Sequence, residues 1–79
     1  MSQGPKLELL IFSHPDYDRV VMELYCDGKY IGFIDQDEGP DRLRLVFPEK
    51  FNPSSMSRSV YLDWFLGAVQ KAKDRLLNG

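Results

Sequence analysis

The chain has 79 residues, a formal net charge of −2 and a hydrophobic content of 43%. That length allows one small core, and that content belongs to a folded domain rather than a disordered one. The acidic balance weighs against a general nucleic-acid binder, the single cysteine excludes an internal disulfide, and no segment approaches the roughly 20 apolar residues of a membrane span.

A lone cysteine points to a reducing compartment, and Met1 to Lys6 holds no apolar run of signal-peptide type. The expectation is a cytoplasmic protein of one domain, residues 1–79, with residues 1–5 as a flexible tail. Residues 6–12 read as a strand. Leu7, Leu9 and Ile11 alternate with Glu8, Leu10 and Phe12, so neither side is cleanly polar. Residues 13–18 form a loop, because Pro15 fixes its own φ and lacks an amide donor.

Residues 20–34 read as a β-hairpin turning at Asp27-Gly28, between two runs rich in β-branched and aromatic residues. A two-residue loop pairs Cys26 with Lys29, Tyr25 with Tyr30, Leu24 with Ile31, Met22 with Phe33 and Val21 with Ile34. A three-residue loop slips that register and mixes the two faces. Residues 35–41, with Gly39-Pro40, form an acidic turn. Residues 42–47 alternate cleanly: Leu43, Leu45 and Phe47 on one side, Arg42, Arg44 and Val46 on the other. Pro48 and Pro53 bracket an irregular crossing, and Ser57 or Ser59 is the expected N-cap of a helix over residues 60–77. Leu62, Phe65, Val69, Ala72 and Leu76 make its apolar stripe, and Asn78-Gly79 its stop.

The short connections make the strands an antiparallel meander. The expected fold is therefore α+β: a four-stranded antiparallel sheet with one C-terminal helix packed on one face. The helix should cover Leu7, Leu9, Ile11, Met22, Leu24, Cys26, Ile31, Phe33, Leu43, Leu45 and Phe47. The opposite face should then present Leu10, Phe12, Val21, Tyr25, Tyr30, Ile34 and Val46, edged by Glu8, Glu23, Arg42 and Arg44. Contiguous exposed apolar and aromatic surface marks interaction sites, whereas scattered apolar residues are normal surface.

Candidate binding residues are Tyr25, Tyr30, Ile34, Val21, Arg42 and Arg44 on the sheet, with Asp37 and Glu38 in the acidic turn. Tyr and Arg recur among interface hot spots, and carboxylates steer a basic partner. The turn is not an EF-hand loop: with Asp35 as position one, position five is Gly39 and position twelve is Val46. His14 and Cys26 are single residues of their kinds, too few for a zinc site and without a third group to form a nucleophilic triad. The chain is thus expected to be no enzyme and to need no metal or cofactor. Trp64 reads as helix packing. Nucleic acid is the alternative ligand, through sheet aromatics with Arg42 and Arg44. Self-association as a homodimer through the open face is a third reading.

Residues 31–40 (Ile-Gly-Phe-Ile-Asp-Gln-Asp-Glu-Gly-Pro) and 62–73 (Leu-Asp-Trp-Phe-Leu-Gly-Ala-Val-Gln-Lys-Ala-Lys) together resemble a group of small uncharacterised bacterial proteins of immunity-protein type. Some of these accompany polymorphic toxins. The resemblance spans about Val20 to Leu76. It implies a cytosolic inhibitor that blocks a toxin by binding it, and it brings no catalytic or contacting residues with it.

Overall fold

The computed structural model describes residues 4–50, 54–57 and 59–78. Expectations that rest on Pro53 or on the Gly79 stop lie outside the described residues. The elements are β1 (Leu7–Phe12), β2 (Val21–Cys26), β3 (Lys29–Asp35), β4 (Arg44–Val46) and α1 (Leu62–Asn78). The strands form one antiparallel sheet in the order β1-β2-β3-β4, and α1 packs on one face. This is the α+β meander expected from the sequence. No helix among the described residues is long and apolar enough to cross a membrane.

The hairpin turn follows its chemistry. Asp27 and Gly28 have φ values of 50° and 83°, the left-handed conformations that a tight two-residue hairpin needs. Cys26 lies opposite Lys29 and Tyr25 opposite Tyr30. The Asp27 side chain also accepts the Lys6 amide at 2.7 Å, which ties the turn to the start of β1.

Beyond Tyr25 the register departs from strict alternation. Leu24 faces Gly32 and Met22 faces Ile34, so Ile31 is an extra residue in β3. Such a bulge reverses the facing of everything beyond it. Ile34, expected on the open face, lies under the helix with Ile31, and both belong to the buried core. Phe33, expected under the helix, lies on the open side opposite Val46. The physical reason is visible one step further along. Strict alternation would have sent the Asp35 side chain beneath the helix, into apolar surroundings, where an unpaired charge is costly. The bulge turns it outward to Arg44, its register partner.

The core on the helix side is Met22, Leu24, Cys26, Ile31, Ile34, Ala68 and Ala72, with Leu7, Leu9, Leu43, Leu45, Trp64, Phe65 and Val69 packed against it. Two alanines at the centre of the buried stripe let the helix sit close to the sheet. Leu62, expected in the stripe, is exposed, and Phe47, expected beneath the helix, is 62% exposed because β4 ends at Val46. The helix starts later than the serines suggest. Ser57 donates its amide to Tyr30 O at 3.0 Å, and Tyr30 donates to Ser55 O at 2.9 Å, so this segment is pinned to the edge of β3. The chain must then climb to the helix layer, and Tyr61 is the N-cap, its carbonyl accepting the Phe65 amide at 2.9 Å. Trp64 fills the helix–sheet gap as expected and donates from Nε1 to Pro5 O at 2.7 Å.

Candidate binding face

The side of the sheet away from α1 carries Glu8, Leu10 and Phe12 from β1, Val21, Glu23 and Tyr25 from β2, Tyr30, Phe33 and Asp35 from β3, and Arg44 and Val46 from β4. The expectation that nothing covers it is corrected by the β1–β2 connection. Residues 13–20 fold back over one end. The His14 ring lies 5.2 Å from the Phe33 ring and the Tyr17 ring 5.4 Å from it, with His14 and Tyr17 5.0 Å apart. Phe12 adds an edge contact to His14 at 5.9 Å. Edge-to-face and tilted aromatic pairs of this kind add to simple burial. Val21 is fully buried at this end, so it belongs to the packed interior and not to a contact surface.

The acidic turn holds that loop down. Asp35 is 0% exposed; its Oδ2 accepts Arg44 Nε at 2.9 Å and its Oδ1 accepts the Asp37 amide at 3.0 Å. Asp37 in turn accepts the backbone amides of Asp18 at 3.0 Å and Arg19 at 2.9 Å, and Gln36 donates to Val20 O at 2.9 Å. Glu38 lies 3.3 Å from Arg44 and 3.7 Å from Arg42. Of the candidate binding residues, Asp37, Glu38, Arg42 and Arg44 are therefore brought together: Asp37 clamps the two loops, while the Arg42 and Arg44 side chains beside Glu38 stay 76% and 56% exposed. Asp35, His14, Tyr17 and Phe33 shape this face without standing out in the sequence. The signal for Asp35 is the alternation itself, which places a carboxylate among core residues.

At the opposite end of the face no described loop folds over the sheet, and Glu23, Tyr25 and Tyr30 are half-buried. The Tyr25 and Tyr30 rings lie 5.4 Å apart, and the Tyr25 hydroxyl donates to Glu23 Oε1 at 3.1 Å. Glu8 lies opposite Tyr25 in the register. Burial pushes the Tyr30 hydroxyl up to about 12, helped by the Glu23 carboxylate and by Tyr25. Burial and then Glu23 raise Tyr25 in the same direction. Both hydroxyls therefore stay protonated donors at neutral pH within a negative field. Beside them runs a groove of about 540 Å³ lined by His14, Tyr17, Tyr30, Phe33 and Val46, with Lys50 and Glu49 at its rim.

Cys26 and His14 are on opposite sides of the sheet. Cys26 is buried in the helix-side core, where burial pushes its thiol up, against the thiolate a nucleophile needs. His14 Nδ1 accepts the Asp16 amide at 3.1 Å. Among the described residues no group of three or more His, Cys, Asp or Glu is placed to hold a metal ion. Compared with protein-family models, curated proteins and solved structures, the chain matches none.

Proposed function

We propose that the protein is a non-catalytic binding module for a basic protein, engaged through the open end of the helix-free face. An immunity-type inhibitor, which blocks a basic toxin by occupying its surface, is the specific form of that role. The observation that carries the reading is the Tyr25–Tyr30 pair, set between the carboxylates of Glu8 and Glu23 and continuous with an aromatic groove. Tyrosines supply rigid contact area with a hydrogen-bonding tip, aromatic faces attract Lys and Arg, and carboxylates nearby raise the rate of encounter with a cation-rich partner. Nucleic acid has less support. The guanidinium of Arg44 is engaged by Asp35 and Glu38, that of Arg42 by Glu38, and the open end is edged by acids.

The test is an amide NMR titration of the full chain with an arginine-rich peptide, alongside a single-stranded oligonucleotide. Peptide-induced shifts should concentrate at Glu8, Glu23, Tyr25 and Tyr30, and should weaken in a Glu8→Gln/Glu23→Gln variant and with added salt. Peptide shifts elsewhere, or tighter binding of the oligonucleotide on the same face, would count against the proposal.

A further inference from the structure

The outer edge of β1 pairs with no strand among the described residues. Folded proteins shield such edges with proline, lysine, a bulge or a cover. β1 reads Leu-Glu-Leu-Leu-Ile-Phe, without proline or lysine, and pairs with β2 without a break in register. Leu10, Ile11 and Phe12 are 53%, 56% and 42% exposed. Beside this edge a cleft of about 820 Å³ lies between α1 and the start of β1, lined by Gly4, Pro5 and Lys6 at one end and by Leu9, Gly67 and Lys71 further along. Gly67 is a further oddity. It sits mid-helix, where glycine is disfavoured against alanine, yet an added Cβ would meet nothing within 4 Å. Nothing in the packing among the described residues accounts for it.

We propose that β1 pairs antiparallel with β1 of a second copy about a two-fold axis, giving one continuous sheet with both helices on the same side. The axis relating two adjacent antiparallel strands stands normal to the sheet, so it keeps the faces in common and sets one residue opposite itself. With Leu9 or Leu10 at that position, Glu8 meets Leu10 or Phe12 of the second copy and never another Glu8. The exposed Ile11 then lies opposite Leu7 or Leu9.

The helices complete the match. α1 lies over β1 and β2. Its symmetry mate is then two to three strand spacings away, roughly 10–14 Å, which reaches helix-packing distance at its lower end. The two helices run antiparallel. Gly67 is midway in sequence between Asp63 and Lys71, and it lines the same cleft as Leu7 and Leu9. Helices crossing at Gly67 approach closely there, and each copy's Asp63 comes beside the other's Lys71. Backbone pairing, apolar contact and charge are all self-complementary under one operator. This interface uses the sheet edge: it borders the proposed partner-binding face at Glu8 and leaves Glu23, Tyr25 and Tyr30 outside it.

Analytical ultracentrifugation of the full chain over a concentration series tests it. The expected species has twice the 9.2 kDa chain mass and dissociates on dilution. Ile11→Lys should give a monomer with an unchanged far-ultraviolet circular dichroism spectrum. Asp63→Lys and Lys71→Asp should each weaken dimerisation roughly tenfold or more, because two symmetry-related pairs turn from attractive to repulsive. The Asp63→Lys/Lys71→Asp double variant should restore it. A monomeric wild type at every attainable concentration, or a dimer that Ile11→Lys leaves intact, overturns the proposal. Failure of the double variant to rescue overturns the antiparallel helix pairing.

Discussion

Replacing Gly32 with alanine is expected to destabilise the domain by about 1–3 kcal/mol, the usual cost of forcing extra atoms into a packed site. A Cβ at Gly32 would stand 2.5 Å from the Val46 carbonyl oxygen. That neighbour is backbone, held by the pairing of Phe33 with Val46, so it cannot swing aside as a side chain would. An opposing effect exists: alanine restricts the unfolded chain and by itself stabilises by about 0.4–1 kcal/mol. The clash outweighs that gain, and it falls where the bulge brings β4 across β3. Urea denaturation should show a lower midpoint with an unchanged slope. An equal or higher midpoint would mean that β4 does not lie against Gly32.

Asp35→Ala should cost about 3 kcal/mol, at the low end of what removing one partner from a buried ion pair costs. The low end applies because Arg44, whose side chain is 56% exposed, regains water when its partner is lost. The remainder comes from the Asp37 amide, which loses its acceptor. The effect should spread. Asp37 anchors the amides of Asp18 and Arg19, and the loop that they hold carries His14 and Tyr17 onto Phe33. A chain of this length has a total stability of roughly 4–12 kcal/mol. Losing about 3 kcal/mol should lower the melting temperature by roughly 12–24 °C. Asp35→Asn keeps one acceptor and should lose less. Thermal unfolding of both variants beside the parent checks the order; equal melting temperatures for all three would mean that no clamp operates at Asp35.

How much of this was legible in the sequence depended on the range of the interaction. The Asp27-Gly28 turn was, because both residues carry their backbone preference with them. The meander was the simplest arrangement for such short connections, though they do not by themselves fix the strand order, and the helix was legible because its apolar residues recur at helical spacing. The bulge at Ile31 was not, since nothing local distinguishes it from an alternating strand. It arises because the sheet must hide Ile31 and Ile34 on one side and hold Asp35 on the other, which is a property of the whole layer. The same holds for the helix start. Ser57 has good capping chemistry, but it is committed to the edge of β3. Tyr25 and Tyr30 lie before the bulge and keep the facing that alternation predicts. Ile34 lies after it and does not, and Val21 is buried by the loop. The clustered carboxylates of the acidic turn were legible, but the Asp18 and Arg19 amides that Asp37 holds are invisible to composition.

The bulge, the clamp and the open tyrosine end all turn on which side of the sheet Phe33 and Ile34 occupy. A nuclear Overhauser spectrum of the full chain decides it. Cross-peaks from the Phe33 ring to the rings of His14 and Tyr17, with cross-peaks from Ile34 to Leu45 and Val69, are the predicted result. Phe33 contacts to the methyls of Ala68 and Ala72, with Ile34 beside Val21 and Tyr17, would contradict it.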